Sequence, residues 1–130
     1  MVLNYCYSYD MNKKTIVLGA SDNPARYSNM AVKMLSEYHH EVIAIGQKES
    51  HIGQIPIVTR RELYTDVNTL SLYLNPQRQL NEYDYILSLR PQRIIMNPGT
   101  ENNELTVLAK AHGIEVIEAC TLVLLRSGQY

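Results

Sequence analysis

Four short segments carry the residue types that hold anions: Gly19-Ala20-Ser21-Asp22-Asn23-Pro24, Gly46-Gln47-Lys48, Leu74-Asn75-Pro76 and Met96-Asn97-Pro98-Gly99. Glycine lets backbone N–H groups come close to a phosphate, and the start of a following helix adds free N–H groups and a positive dipole end. In the first segment Gly19 and Ala20 supply the close backbone, while Ser21 and Ser28 supply hydroxyl donors. Asn23 and Arg26 sit between them as further candidates. Any one of these segments is also what ordinary turn chemistry requires, because Gly, Asn and Pro punctuate loops. All four together point to a ligand, provided that the fold brings them to one place.

The elements that would do so begin at Lys13. Short apolar runs at Thr15–Leu18, Val42–Ile45, Thr69–Leu74, Arg93–Met96 and Ile114–Ile117 read as strands covered on both faces. Helical spacing lies between them. One helix is predicted over Ser28–Tyr38, with Met30, Leu35 and Tyr38 facing inward. Another starts at Asn75, an N-cap, with Pro76 at its first position; it carries Leu80, Tyr83 and Leu87 and is stopped by Pro91. A third spans Asn102–His112, buries Leu105, Leu108 and Ala109, and closes at Gly113. Cys120–Ser127 fits a strand or a short helix, with Gly128 favouring the helix. Such alternation predicts an α/β fold, a Rossmann-like three-layer sandwich. Its five-stranded parallel sheet is expected in the order 3-2-1-4-5, with helices on both faces. The connection between Gly46 and Asn68 is long for a bare loop, so a short strand at Ile55–Val58 and a turn of helix around Arg61–Tyr64 are expected in it. In this architecture ligands lie outside the carboxyl ends of the strands, where all four segments fall.

Composition sets the outer limits. With 130 residues, 45% of them hydrophobic, residues 13–130 can build one domain around one core. Twelve Lys plus Arg against 13 Asp plus Glu leave a formal charge of −1, so no global field recruits nucleic acid or an anionic membrane. An anion site must therefore be local. The longest aliphatic run, Leu122–Leu125, falls far short of the roughly 20 residues that span a bilayer. Nor does the chain open on a basic segment followed by a long apolar core, as a secretory signal would. Two distant cysteines, Cys6 and Cys120, make neither a disulfide framework nor a metal knuckle, so a cytoplasmic setting is expected. Residues 1–12 differ from the rest and read as an N-terminal extension outside the fold. The alternation of Leu3, Tyr5, Tyr7 and Tyr9 with polar residues leaves an added edge strand open.

The ligand class narrows at the strand ends. The first loop lacks the Gly-x-Gly-x-x-Gly dinucleotide pattern, having Ser21 and Pro24 at the later positions. Nicotinamide sites place an acidic residue after the second strand, but here the sequence is Gly46-Gln47-Lys48. A lysine suits a phosphorylated ribose, as in coenzyme A or NADP; Glu49 keeps NAD open. His39, His40 and His112 close helices, where a cation meets the negative dipole end, and no metal site is expected. Cys120 reads as a small buried residue, with a thiol close to the ligand as the functional alternative. Ser21 beside Asp22 is not a catalytic pair, and no catalytic residue is expected.

These residues resemble a known family, the small CoA-binding domain proteins, whose fold is that of the N-terminal domain of the succinyl-CoA synthetase alpha subunit. The resemblance runs from about Lys13 to Leu125. It rests on Thr15-Ile-Val-Leu-Gly-Ala-Ser-Asp-Asn-Pro24, His51-Ile-Gly-Gln-Ile-Pro-Ile57, Asn97-Pro-Gly-Thr-Glu101 and Gly113-Ile-Glu-Val-Ile-Glu-Ala-Cys120. It implies that the Gly19–Asn23 loop cradles the CoA phosphates and that the Gly46–Lys48 loop meets the adenosine end. The turns at Leu74–Pro76 and Met96–Pro98 would line the rest of the cofactor path. Gly46-Gln47 departs from the Asn-Pro or Thr-Pro that family members commonly carry there. The Gly53–Pro56 segment has one residue more than the synthetase form, and the synthetase's phosphohistidine lies in a domain that has no counterpart here, so no role transfers to His51.

The function expected is non-catalytic binding of coenzyme A or an acyl-CoA, with no nucleic-acid or membrane partner; the sequence names no protein partner. Two other readings stand beside it. A catalytic acid–base pair in the crevice would favour an NADP-dependent or other nucleotide-binding enzyme. A crevice filled by Tyr or Met side chains would favour an interaction module that has lost its ligand. A Gly19→Val change is expected to remove the ligand while leaving the strand packed.

Overall fold

The central apolar runs form strands buried on both faces, whereas the edge strand at Glu115–Glu118 is only partly covered. In β1 (Thr15–Ala20), Ile16, Val17 and Leu18 are fully out of contact with water. The computed structural model describes residues 12–130. The expected N-terminal extension therefore lies outside the described residues, save Asn12, whose Oδ1 accepts from the Glu41 N–H at 3.1 Å. After β1 come α1 (Tyr27–Glu37), β2 (Val42–Gly46), β3 (Ser50–Ile52), β4 (Ile55–Val58) and β5 (Thr69–Leu72). Then follow α2 (Pro76–Gln79), a 3₁₀ turn at Leu80–Glu82, α3 (Tyr83–Leu89), β6 (Arg93–Met96), α4 (Asn103–Ala111), β7 (Glu115–Glu118) and α5 (Thr121–Arg126).

The Rossmann-like α/β architecture is present, but the sheet departs from expectation in size and order. Among the described residues it has seven strands in the order β3-β4-β2-β1-β5-β6-β7, not five. Six run parallel, and β3 joins β4 as an antiparallel hairpin, Ser50 opposite Ile57. The strand expected at Ile55–Val58 takes the place beside β2, with Ala44 opposite Ile57. The Thr69 strand must therefore cross to the other side of β1, where Thr15 faces Thr69 and Leu18 faces Leu72. Strands one and four of the expected five are thus separated by β5. Counted with β4 as the third parallel strand, the order is 3-2-1-4-5-6. The expected turn of helix at Arg61–Tyr64 is absent. That stretch is instead pinned by its side chains, Arg61 to Glu82 at 2.7 Å and the Tyr85 hydroxyl to Glu62 O at 2.6 Å.

Helices cover both faces. Ile86 and Leu89 of α3 with Leu105 and Ala109 of α4 close over Ile16, Leu18, Leu70, Leu72, Ile94 and Met96. On the other face Val32 and Leu35 of α1 and Leu125 of α5 close over Val17, Ala44 and Ile95. α1 meets the sheet through Ser28, Ala31, Val32 and Leu35, which leaves Tyr38 exposed rather than inward. Leu80 is exposed as well, because the 3₁₀ turn resets the helical phase before Ile86 and Leu89 face inward. Asn75 and Asn102 cap α2 and α4 through their Oδ1 atoms, as their positions predict. No helix among the described residues is long and apolar enough to cross a membrane.

Candidate functional site

Because β1, β2, β5 and β6 run the same way, the segments that follow them meet at one edge of the sheet. They enclose a cleft of about 820 Å³. Its walls are Gly19 and Ala20 at the end of β1, Ser21 and Asp22 after it, and Arg26, Tyr27 and Ser28 at the start of α1. Gln47 and Lys48 follow β2, with Ser50 and Ile57 from the hairpin. Tyr73, Leu74, Asn75 and Arg78 close the β5 side, and Pro98, Gly99 and Thr100 the β6 side.

The first loop owes its shape to two close approaches. Gly19 has φ +101°, a conformation that side chains other than hydrogen rarely adopt, and a Cβ there would lie 3.0 Å from the Tyr73 carbonyl carbon. Gly46 lies closer still to its neighbours: a Cβ would sit 2.5 Å from Ala20 O and 2.8 Å from Ile57 Cγ2. Both glycines are therefore set by chain crossing as well as by any ligand. This corrects the expectation that Gly19→Val would leave the strand packed, since the added atoms would strain the turn and push on the segment after β5, so folding suffers as well. Beyond Gly19 the turn is built from its own side chains. The Asn23 N–H donates to Ser21 Oγ at 3.1 Å, Ala25 N–H donates to Asn23 Oδ1 at 3.0 Å, and Asn29 Nδ2 donates to Ser21 O at 2.9 Å. α1 then begins at Tyr27, with Arg26 at the N-cap position making no side-chain capping bond and no acidic residue in the first turn. Its N-terminal dipole end opens on the cleft.

Three cations, Arg26, Lys48 and Arg78, line the cleft with one carboxylate, Asp22. Asp22 accepts a hydrogen bond from the Ser50 hydroxyl at 2.8 Å and lies 3.6 Å from Lys48 Nζ. The Ser50 bond, and after it the charge of Lys48, hold its carboxyl below the usual carboxylate range. Glu49 is occupied elsewhere, accepting from the Thr59 N–H at 2.9 Å and the Thr59 hydroxyl at 2.7 Å.

Of the residues singled out from the sequence, Gly19, Ala20, Ser21, Arg26, Ser28, Gln47, Lys48, Leu74, Asn75 and Pro98 stand on the cleft wall. Gly46 lies behind it, against a smaller cavity shared with Gly19, Gln47, Arg61, Arg78 and Glu82. Asn23, Pro76, Met96 and Asn97 are off the wall. Asn23 builds the turn, Pro76 starts α2, and Met96 is fully buried in the core. Asn97 is 1% exposed; it donates to Ser71 Oγ at 3.0 Å and Leu72 O at 2.9 Å and accepts from Thr121 N–H at 2.8 Å. Its side chain braces β5, β6 and α5 from within. Cys120 is half-buried and absent from the wall.

Asp22 and Gly99, which belong to the first and fourth segments though neither was a named candidate, complete the wall with Tyr27, Ser50, Ile57, Tyr73, Arg78 and Thr100, which fell outside those segments. Arg78 and Tyr27 carried a signal, since each falls in the first turn of a helix that follows a strand end. Ser50 and Ile57 carried none, because only the β3–β4 hairpin brings them over the cleft.

The family model described as "CoA binding domain" matches residues 13–126. A crystal structure of an uncharacterized protein is 44% identical, with a TM-score of 0.89 over 92% of this chain and 98% of that one. A conserved hypothetical protein from Pyrococcus furiosus is 26% identical, with a TM-score of 0.71 over 80% of this chain and 90% of its own. A protein from Thermus thermophilus is 20% identical with a TM-score of 0.78, covering 98% of both chains, and shows the fold alone. No curated protein matches. With this family match over nearly all of the described chain, the protein belongs to the CoA-binding domain family.

Proposed function

We propose that this chain binds coenzyme A, or an acyl-CoA, in the cleft at the carboxyl ends of its parallel strands and performs no chemistry on it. The observation that carries this reading is the uncapped start of α1 beside the Gly19 turn, with Arg26, Lys48 and Arg78 around it in one cleft. Free N–H groups and three cations match a ligand that carries a pyrophosphate and a further phosphate. A volume of about 820 Å³ lies in the range of small-molecule sites, and Tyr27 and Tyr73 line the cleft without filling it. That openness favours ligand binding over an interaction module. The engagement of Glu49 by Thr59 removes the carboxylate that would hold a bare ribose, which disfavours NAD. NADP keeps a phosphorylated ribose and stays the competing ligand. Gly19, Ala20, Ser21 and Ser28 would serve the pyrophosphate, Gln47 and Lys48 the adenosine end, and Leu74, Asn75 and Pro98 the pantetheine arm. A cytoplasmic setting goes with this reading.

Calorimetry with coenzyme A and with NADP on the purified protein tests it, supported by mass spectrometry of small molecules released on denaturation. Saturable binding of coenzyme A, tighter than that of NADP, is expected. Tighter binding of NADP, or no binding of coenzyme A, would overturn the proposal.

A further inference from the structure

Gln79, the last residue of α2, is fully buried, an unusual place for a primary amide. Both hydrogen bonds that its Nε2 donates go to residues of the two far walls of the cleft. Its Nε2 donates to Leu74 O at 2.7 Å and to Thr100 O at 2.9 Å, so one amide group ties the end of the β5 segment to the loop after β6. Its Oε1 accepts from Asn102 Nδ2 at 2.8 Å, and Asn102 in turn caps α4. Leu74 and Thr100 both line the cleft, whereas Gln79 does not. A buried amide with every bond satisfied fixes geometry, because neither carbonyl can find another donor out of water. From this arrangement we infer that Gln79 is a positioning residue, setting the distance between the β5 and β6 walls of the cleft and thereby its fit to the pantetheine arm of the ligand. The part concerning the arm rests on the CoA reading above. The part concerning the walls does not.

The adenosine end is assigned to the opposite side of the cleft, beside Lys48, so the two halves of the ligand report separately. In Gln79→Leu both carbonyls lose their donor while the volume is kept. Asn102→Asp is the milder variant: its carboxylate preserves the cap of α4 but no longer donates to Gln79 Oε1. Calorimetry with coenzyme A and with adenosine 3′,5′-bisphosphate, together with amide hydrogen exchange, tests the inference. Expected in both variants is at least a tenfold loss of coenzyme A affinity with less than a twofold change for the bisphosphate. Residues 73–76 and 97–101 should exchange faster together, while the 20–28 segment keeps its protection. Parallel loss of both ligands, or loosening of all cleft segments alike, would show a general structural role and overturn the inference. If wild-type protein bound neither ligand, the CoA reading would fall alone, and the exchange pattern would still decide whether Gln79 sets the two walls.

Discussion

At Lys48 a ligand phosphate would meet a competitor, because Asp22 already lies 3.6 Å from the ammonium group. The lysine side chain is 75% exposed, so its contribution is reduced by solvent screening. Coenzyme A is therefore expected to bind only a few fold more tightly than its 3′-dephospho form. Lys48→Ala should abolish that difference and Asp22→Asn should widen it, as calorimetry with the two ligands would show; an unchanged ratio in both variants would remove Lys48 from the ribose phosphate. Gly19 is governed by sterics rather than charge. Gly19→Ala places a methyl group 3.0 Å from the Tyr73 carbonyl carbon in a left-handed backbone region, which should cost about 1–3 kcal/mol of stability by urea unfolding. Much of this was legible in the residues themselves: the glycines, Ser21, Ser28 and Lys48 stood out by type and spacing. The burial of Asn97 and Met96 was not, since a strand end looks the same in sequence whether its side chain faces ligand or core.

At the level of elements, the same uncertainty shaped the strand order. The apolar runs and capping residues located β1, β2, β5, β6, β7 and four of the helices to within a few residues, because Asn75, Pro76, Asn102 and Gly113 act locally. Sheet order depends on which short strand fills an edge, and Ile55–Val58 decided it with only two registered pairs to β2. Nothing local to Thr69–Leu72 tells on which side of β1 it will lie. What holds that choice in place includes the Asn97 amide, which joins β5, β6 and α5 through bonds of 2.8–3.0 Å. Asn97→Leu would leave the Thr121 N–H and the Leu72 carbonyl buried and unpaired. A loss of about 2–4 kcal/mol is expected, from roughly 1–3 kcal/mol for each orphaned group. Urea unfolding should show a lower midpoint with an unchanged slope. A midpoint equal to the wild type would mean that the brace is redundant.

Across the whole molecule the two ends of the parallel strands do different work. The carboxyl ends form the cleft, while at the amino ends Tyr130 closes a cluster of cationic groups. Its ring lies 4.4 Å from the Arg93 guanidinium and 4.9 Å from the His40 ring, its hydroxyl bonds to Thr15, and Lys13 Nζ donates to its carbonyl at 2.7 Å. His40 accepts the Lys13 N–H on Nδ1 at 2.9 Å, a bond that only neutral imidazole can make. Burial first, then the charges of Lys13, Arg93 and His39, push its pKa below the ordinary 6.5. A histidine with a depressed native pKa leaves the folded state binding fewer protons than the unfolded one, so stability rises with pH across that interval. The contribution is intact above pH 6.5 and is lost as the pH falls from there through the lowered native value. His40→Gln keeps an acceptor for the Lys13 N–H without titrating. The wild-type melting temperature should therefore fall more steeply than that of His40→Gln between about pH 7 and pH 5, the range in which histidine changes charge. Because the cluster and the cleft lie at opposite ends of the strands, the rise in melting temperature caused by saturating coenzyme A at neutral pH should be the same in both proteins. Parallel acid profiles would show that His40 is not the sensitive group, and a smaller coenzyme A shift in His40→Gln would show that the two ends are coupled.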